Sequence, residues 1–152
     1  MEKVYYDMDG VLADFEGQPN ALERFITEAG FFQKLKPTRL AQRLNDLLAY
    51  DNNEVYILSA SPNERADIDK VLWLFEHMPN LKRENINIVK SGKGAKKRKA
   101  KYAKESSVLV DDYTTNLLEW ESKGGKGIKC LNGRNGKGGK WKGEVIKFAD
   151  IY

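Results

Sequence analysis

Tyr6-Asp7-Met8-Asp9-Gly10-Val11-Leu12-Ala13-Asp14-Phe15 is the stretch on which the reading of this chain turns. It continues a short apolar run, Lys3-Val4-Tyr5-Tyr6, with the branched and aromatic content of a β-strand. Two aspartates one residue apart leave the end of that run, and a glycine follows. The carboxyl ends of parallel strands are where α/β folds bind ligands. Two carboxylates so close repel each other, and a hard cation removes that cost. Mg²⁺ prefers oxygen ligands and keeps several waters, so two or three carboxylates are enough to hold it. Gly10 lets the backbone turn sharply after the pair.

A second acidic pair stands in Val108-Leu109-Val110-Asp111-Asp112-Tyr113, again at the end of an apolar strand pattern. One such pair is as well explained by a turn or a cap. Two pairs at two strand ends make an oxygen-rich cation site. A third strand pattern, Val55-Tyr56-Ile57-Leu58-Ser59-Ala60-Ser61-Pro62, ends in hydroxyls and small residues. Ser59 and the backbone N–H groups beside it are candidates for holding phosphate oxygens.

The rest of the chain supplies a frame for these ends. Strands are expected at 3–6, 54–58, 85–89, 107–110 and 127–131. Several are continuous apolar runs, the pattern of strands buried on both faces. Helical patterns fall at 20–29, 38–50, 64–76, 95–104 and from Thr114 or Thr115 to Gly124. In the 64–76 helix, Ile68, Val71, Leu72 and Phe75 share one face, which is the expected core face. Alternating strands and helices imply a parallel sheet covered on both sides. The two helical patterns between the first and second strands exceed one crossover, so one is expected to sit over the sheet edge as a small cap. The tail from Asn132 is rich in Asn, Gly and Lys, and its Trp141 and Val145-Ile146 indicate an ordered extension.

Composition narrows the function classes. The chain has 152 residues, 41% hydrophobic and 32% charged, which suits one α/β domain. Its net charge of +4 fits an anionic substrate, and the excess is local, with eight Lys or Arg in residues 90–104. One cysteine, Cys130, and one histidine, His77, exclude a Cys/His zinc site. No apolar run is long enough to span a bilayer, and residues 1–6 lack the layout of a signal peptide, so a cytoplasmic protein is expected.

The Asp-x-Asp-Gly-Val-Leu-Ala-Asp-Phe stretch, the strand ending at Ser59, a downstream lysine and the strand ending Asp111-Asp112 resemble the four motifs of the haloacid dehalogenase (HAD) superfamily. Within it, the chain resembles the 5′(3′)-deoxyribonucleotidases of phage and bacterial type. Phe31-Phe32 with Leu35-Lys36-Pro37, and Asp111-Asp112-Tyr113 followed by Asn116-Leu117 and Trp120, carry that resemblance, which runs from about Lys3 to Leu131. It implies an α/β, Rossmann-like three-layer sandwich with a five-stranded parallel sheet in the order 5-4-1-2-3. It also implies one HAD-like domain over 1–152, with a small helical cap within about 16–45 and a Gly/Lys-rich extension over about 132–152.

The same resemblance implies roles. Asp7 is the expected nucleophile and Asp9 its acid/base partner. Asp7, Asp9 (through its backbone carbonyl), Asp111 and Asp112 are the expected Mg²⁺ site. Which of Asp111 and Asp112 binds the ion directly stays open. Ser59, Ala60 and a lysine are expected at the phosphate. Lys99 is the choice, because Tyr102-Ala103 follow it in the family's manner, with Lys96, Lys97 and Lys101 as alternatives. Phe15 is expected to stack on the substrate base, with Phe31 and Phe32 as further walls or as cap core. The expected activity is Mg²⁺-dependent hydrolysis of nucleoside monophosphates by a monomer or homodimer. Alternatives are another small phosphomonoester, a polynucleotide phosphate end, phosphomutase or phosphonatase chemistry, and a non-catalytic nucleic-acid-binding module.

Overall fold

A computed structural model describes residues 2–15, 17–50, 54–92, 95–132 and 139–147. The strands are β1 (Lys3–Tyr6), β2 (Tyr56–Ser61), β3 (Ile86–Lys90), β4 (Ser107–Asp111), β5 (Lys126–Leu131) and β6 (Glu144–Lys147). The helices are α1 (Ala21–Thr27), α2 (Arg39–Tyr50), α3 (Glu64–His77), α4 (Ala95–Ala100) and α5 (Thr114–Ser122). The strands form one sheet in the order β3-β2-β1-β4-β5-β6, and every neighbouring pair is parallel. This is the expected order with one strand added. The sixth strand lies in the tail, where Val145 pairs with Lys129 and Ile146 with Cys130.

Strand residues alternate between two cores, because successive side chains point to opposite faces. Val4, Tyr6, Ile57 and Val110 join the larger core with Trp73, Leu74 and the aromatics of the 15–32 region. Tyr5, Leu58 and Leu109 join a smaller one with Leu117, Trp120 and Trp141. The sheet is therefore the middle of three layers. Cys130 is buried in the larger core, as its apolar setting implies.

Of the boundaries that move relative to expectation, two bear on the site. β2 runs to Ser61 because its pairing with β3 continues from Ile57↔Ile86 through Ser61↔Lys90, so Ser59 sits inside a strand. α4 ends at Ala100, and Lys99 and Ala100 close the following turn by accepting from Tyr102 and Ala103.

The inward face of α3 is a correction. Ile68, Leu72 and Phe75 are exposed, and the buried residues are Ala66, Asp69, Lys70, Trp73 and Leu74. Their spacing is that of one helical stripe, but two of the five carry charge. Each charged residue meets fixed partners. Asp69 accepts from the Gly30 backbone N–H at 3.0 Å and from Gln33 Nε2 at 2.7 Å. Trp73 Nε1 donates to the Leu35 carbonyl at 2.8 Å. The 30–35 segment is thereby tied to α3.

Trp141 fastens the tail. Its ring lies over Gly127 and Gly143, where an added Cβ would come within 2.8 Å and 2.5 Å of the indole. Its Nε1 donates to the Glu144 carbonyl at 2.9 Å. Replacing Trp141 by alanine removes the ring and that donor, and is expected to lower unfolding free energy by about 3 kcal/mol. Urea denaturation of wild type and W141A measures this. An unchanged midpoint would mean that β6 contributes nothing to the fold.

Candidate active site

The site stands at the carboxyl ends of β1, β4 and β2. Asp7 follows β1 directly, and its backbone N–H donates to the Val110 carbonyl at 2.9 Å. The chain then turns tightly, with the N–H groups of Val11, Leu12 and Ala13 all directed at the Met8 carbonyl. Gly10 has φ +74°, and a Cβ there would fall 2.6 Å from both Asn132 Nδ2 and Asp112 Oδ2. Glycine is required on both counts, backbone and space.

Asp7, Asp111 and Asp112 are buried, and a carboxylate oxygen from each lies within 4.8 Å of the others. Lys99 Nζ is 3.1 Å from Asp7 Oδ1 and 2.8 Å from Asp111 Oδ2. Lys99 thus reaches the carboxylates, while the side chains of the alternatives Lys96 and Lys97 lie outside the described residues. Asp111 also accepts from the Tyr113 backbone N–H at 2.9 Å and from Asn116 Nδ2 at 3.0 Å. Asn132 Nδ2 donates to Asp112 Oδ2 at 2.8 Å and to the Gly10 carbonyl at 3.2 Å. Lys129 Nζ donates to the Asp112 carbonyl at 3.1 Å and also contacts Thr114 Oγ1.

These charges respond to one another. Burial pushes the Asp7 carboxyl up, the nearby Asp111 and Asp9 add to this, and Lys99 and Lys70 oppose it, with a net rise to about 7. Burial pulls the Lys99 ammonium down, but Asp111 and Asp7 outweigh it and raise it above the ordinary lysine value. The carboxylate cluster therefore favours an added positive charge, which a proton or a metal ion can supply. Three hard oxygen donors converging in a buried cluster fit a small divalent cation. The Asp9 carboxylate is not part of that cluster.

A cleft of about 230 Å³ opens above the cluster and is lined by Asp7, Asp9, Phe15, Ala60, Lys99, Asp111 and Asp112. Leu22, Phe25 and Ile26 of α1, with Pro62, Ser91, Tyr113 and Asn116, complete the wall. Seven of the nine site residues expected from sequence thus share one cleft. The other two stand outside it. Ser59 is fully buried, and its hydroxyl accepts from Lys70 Nζ at 2.7 Å. Phe32, expected as a wall of the base site, is also fully buried. Its ring packs on Phe25 at 5.6 Å and on Trp73 at 6.0 Å, so it belongs to the core beneath α1. Phe31 is likewise buried, against Phe15.

Sequence reading missed Lys70, Asn132 and the α1 residues. Lys70 stands within an amphipathic helix whose more apolar side, with Ile68, Leu72 and Phe75, is the exposed one. Asn132 directly follows β5 at the same edge as the acidic pairs, and that position was its available signal.

The family model of the 5′ nucleotidase, deoxy (Pyrimidine), cytosolic type C proteins matches residues 17–135. The chain belongs to this family. It is a phosphatase of the nucleotidase kind. The match begins after the Asp7–Phe15 stretch, so the placement of those residues rests on the geometry above. A search of curated proteins finds no match. Solved structures share the fold. The D,D-heptose 1,7-bisphosphate phosphatase from Burkholderia thailandensis is 12% identical with a TM-score of 0.62, covering 97% of this chain and 91% of that one. A family IA HAD hydrolase from Entamoeba histolytica is 14% identical with a TM-score of 0.62, covering 100% and 96%. A hydrolase from Pseudomonas syringae is 16% identical with a TM-score of 0.58, covering 97% and 92%. This nucleotidase-family chain thus has the HAD fold across nearly its whole length.

The raised Asp7 pKa makes a prediction for the metal-free protein. Native Asp7 keeps its proton between its ordinary value of 3.8 and about 7, while the unfolded chain has lost it. The native state then binds more protons, so this contribution to stability falls as pH rises across that window. The melting temperature in EDTA is expected to drop from about pH 4 to about pH 7, and Asp7→Asn is expected to flatten the drop. Scanning fluorimetry across the range checks both. A wild-type melting temperature that rises over this interval, with Asp7→Asn unchanged, would contradict the burial argument.

Proposed function

We propose that the chain is a Mg²⁺-dependent phosphomonoesterase acting on nucleoside monophosphates, with deoxyribonucleotides as its substrates, in the cytoplasm. The observation that carries this reading is the Asp7–Asp111–Asp112 cluster with Lys99 at the floor of a cleft and Asp9 at its side. The family description, with its "deoxy" and "cytosolic", supports the substrate class and the compartment.

Asp7 attacks phosphorus. The Asp7 Oδ–P bond forms as the P–O bond to the sugar breaks, giving an aspartyl-phosphate. Asp9 gives its proton to the leaving sugar oxygen. It then takes a proton from the water that attacks the aspartyl-phosphate, and inorganic phosphate leaves with Asp7 restored. Lys99 and the Ala60 backbone face the phosphoryl oxygens, where offsetting charge is most of the catalysis. Asp7, Asp111 and Asp112, with the Asp9 backbone carbonyl, would hold Mg²⁺, which supplies positive charge against the phosphoryl group when bound.

Phe15, with Phe25, Leu22 and Ile26 of α1, offers the base an apolar wall. We read the segment within about 16–45 as a small cap on a single domain, since α1 lines the cleft from outside the sheet. The extension over about 132–152 contributes Asn132 to the site and β6 to the sheet.

The test is phosphate release from a panel of ribo- and deoxyribonucleoside monophosphates, with Mg²⁺ or EDTA. Release is expected from a subset of deoxyribonucleotides, lost in EDTA. Asp7→Asn is expected to reduce kcat on the order of 10⁴-fold or more, as removal of a nucleophile does. Turnover of aryl phosphate alone would keep the chemistry and reject the nucleotide substrate. Full activity of Asp7→Asn would reject the mechanism.

A further inference from the structure

Lys70 is a buried lysine that the mechanism above leaves without a task. Its side chain is fully enclosed, and its ammonium has three donors to place. One goes to Ser59 Oγ at 2.7 Å and one to the Ala60 carbonyl at 2.7 Å. The ammonium also forms an ion pair with Asp9 Oδ1, at 2.9 Å but without hydrogen-bond geometry. The rings of Phe25 and Phe32 lie 4.9 Å and 5.2 Å from Nζ, within the range of a cation–π contact. Burying an ammonium is unfavourable unless its charge and its donors are answered. Here Asp9 answers the charge, and β2 with two phenyl faces fixes where the ammonium sits.

The two ends of this pair differ. Lys70 is rigidly placed by β2 and the aromatic box. Asp9 stands in a tight turn before a left-handed glycine, and its side chain is a quarter exposed to the cleft. A carboxylate in that position has several rotamers open to it, and an immobile cation at 2.9 Å selects one.

We propose that Lys70 is a positioning residue for catalysis. Anchored on Ser59 and Ala60, it holds the Asp9 carboxylate in the orientation from which Asp9 exchanges a proton with the leaving oxygen. The inference rests on Asp9 being the acid/base residue. It also gives Ser59 a task other than touching phosphate, and gives Phe32 one other than touching the base. Both are walls of the lysine's socket.

The test exploits leaving groups. A nucleoside leaves as an alkoxide and needs a proton, whereas p-nitrophenolate leaves readily without one. For each variant, kcat/KM is measured on a deoxyribonucleoside monophosphate and on p-nitrophenyl phosphate, and the ratio is compared with wild type. Lys70→Met is expected to lower kcat/KM on the nucleotide by about a hundredfold, the cost of misplacing a catalytic group. On the aryl phosphate the loss is expected to be less than about tenfold. In an Asp9→Asn background, Lys70→Met is expected to change the ratio no further, because its action runs through Asp9. Lys70→Gln keeps hydrogen-bonding capacity without the charge, and serves if the methionine variant does not fold. It is expected to shift the ratio in the same direction. Equal losses on both substrates, or a full Lys70→Met effect in the Asp9→Asn background, would show a purely structural lysine and overturn the inference. Wild type that releases phosphate from neither substrate would overturn the phosphatase mechanism itself, and this inference with it.

Discussion

Everything in this molecule is arranged around carboxylates taken out of water at the ends of two adjacent strands. Asp7 ends β1 and Asp111 ends β4, and the parallel register of those strands, with Tyr6 beside Val110, brings their ends together. Burial makes these charges unfavourable unless they are answered. Lys99 reaches Asp7 and Asp111 from the turn that closes α4. Asn116, Asn132 and the Tyr113 backbone add hydrogen bonds around the same oxygens. The resulting cluster is held by these partners and keeps three buried carboxylates in a group that fits a small divalent cation.

A second ammonium does a different kind of work. Lys70 ties β2 to the turn that carries Asp9, and its neighbour Asp69 ties the same helix to the 30–35 segment. Trp73, one turn further on, adds a bond to the Leu35 carbonyl. α3 thus joins the turn that carries Asp9 to the 30–35 segment, through three residues of one stripe. The aromatic series from Phe15 through Phe25 and Phe32 to Trp73 fills the space between. Position in the cleft and packing in the core are therefore linked by contact. Phe32, which touches no solvent, lies with its ring 5.2 Å from Lys70 Nζ, and Lys70 pairs with Asp9.

The tail shows how an appended segment is absorbed into such a fold. β6 extends the sheet past β5, and Trp141 seats itself on two glycines with no side chain to obstruct it. The residue that opens this extension, Asn132, bonds both the Gly10 carbonyl and the Asp112 carboxylate. Among the described residues, Asn132 joins the extension to the acidic cluster.

How much of this was legible beforehand depends on whether the signal was local. The acidic pairs, Gly10 and the apolar strands before them form patterns within ten residues, and they reveal the strand ends and the chemistry placed there. Trp141 and Val145-Ile146 announce an ordered tail for the same reason. Choosing Lys99 among four lysines needed a resemblance, because a helical run of lysines carries no mark of which one faces inward. The inner face of α3 is not legible in the sequence. Apolar periodicity favours Ile68, Leu72 and Phe75, and no local rule allows a helix to bury Asp69 and Lys70 instead. Those two are tolerated because Gly30, Gln33, Ser59 and Asp9, distant in sequence, arrive to pair with them. The sequence by itself determined five of the six described strands and the class of chemistry at the ends of β1 and β4. Only the tertiary structure decided which charges are buried, since a buried charge depends on partners that folding alone brings together.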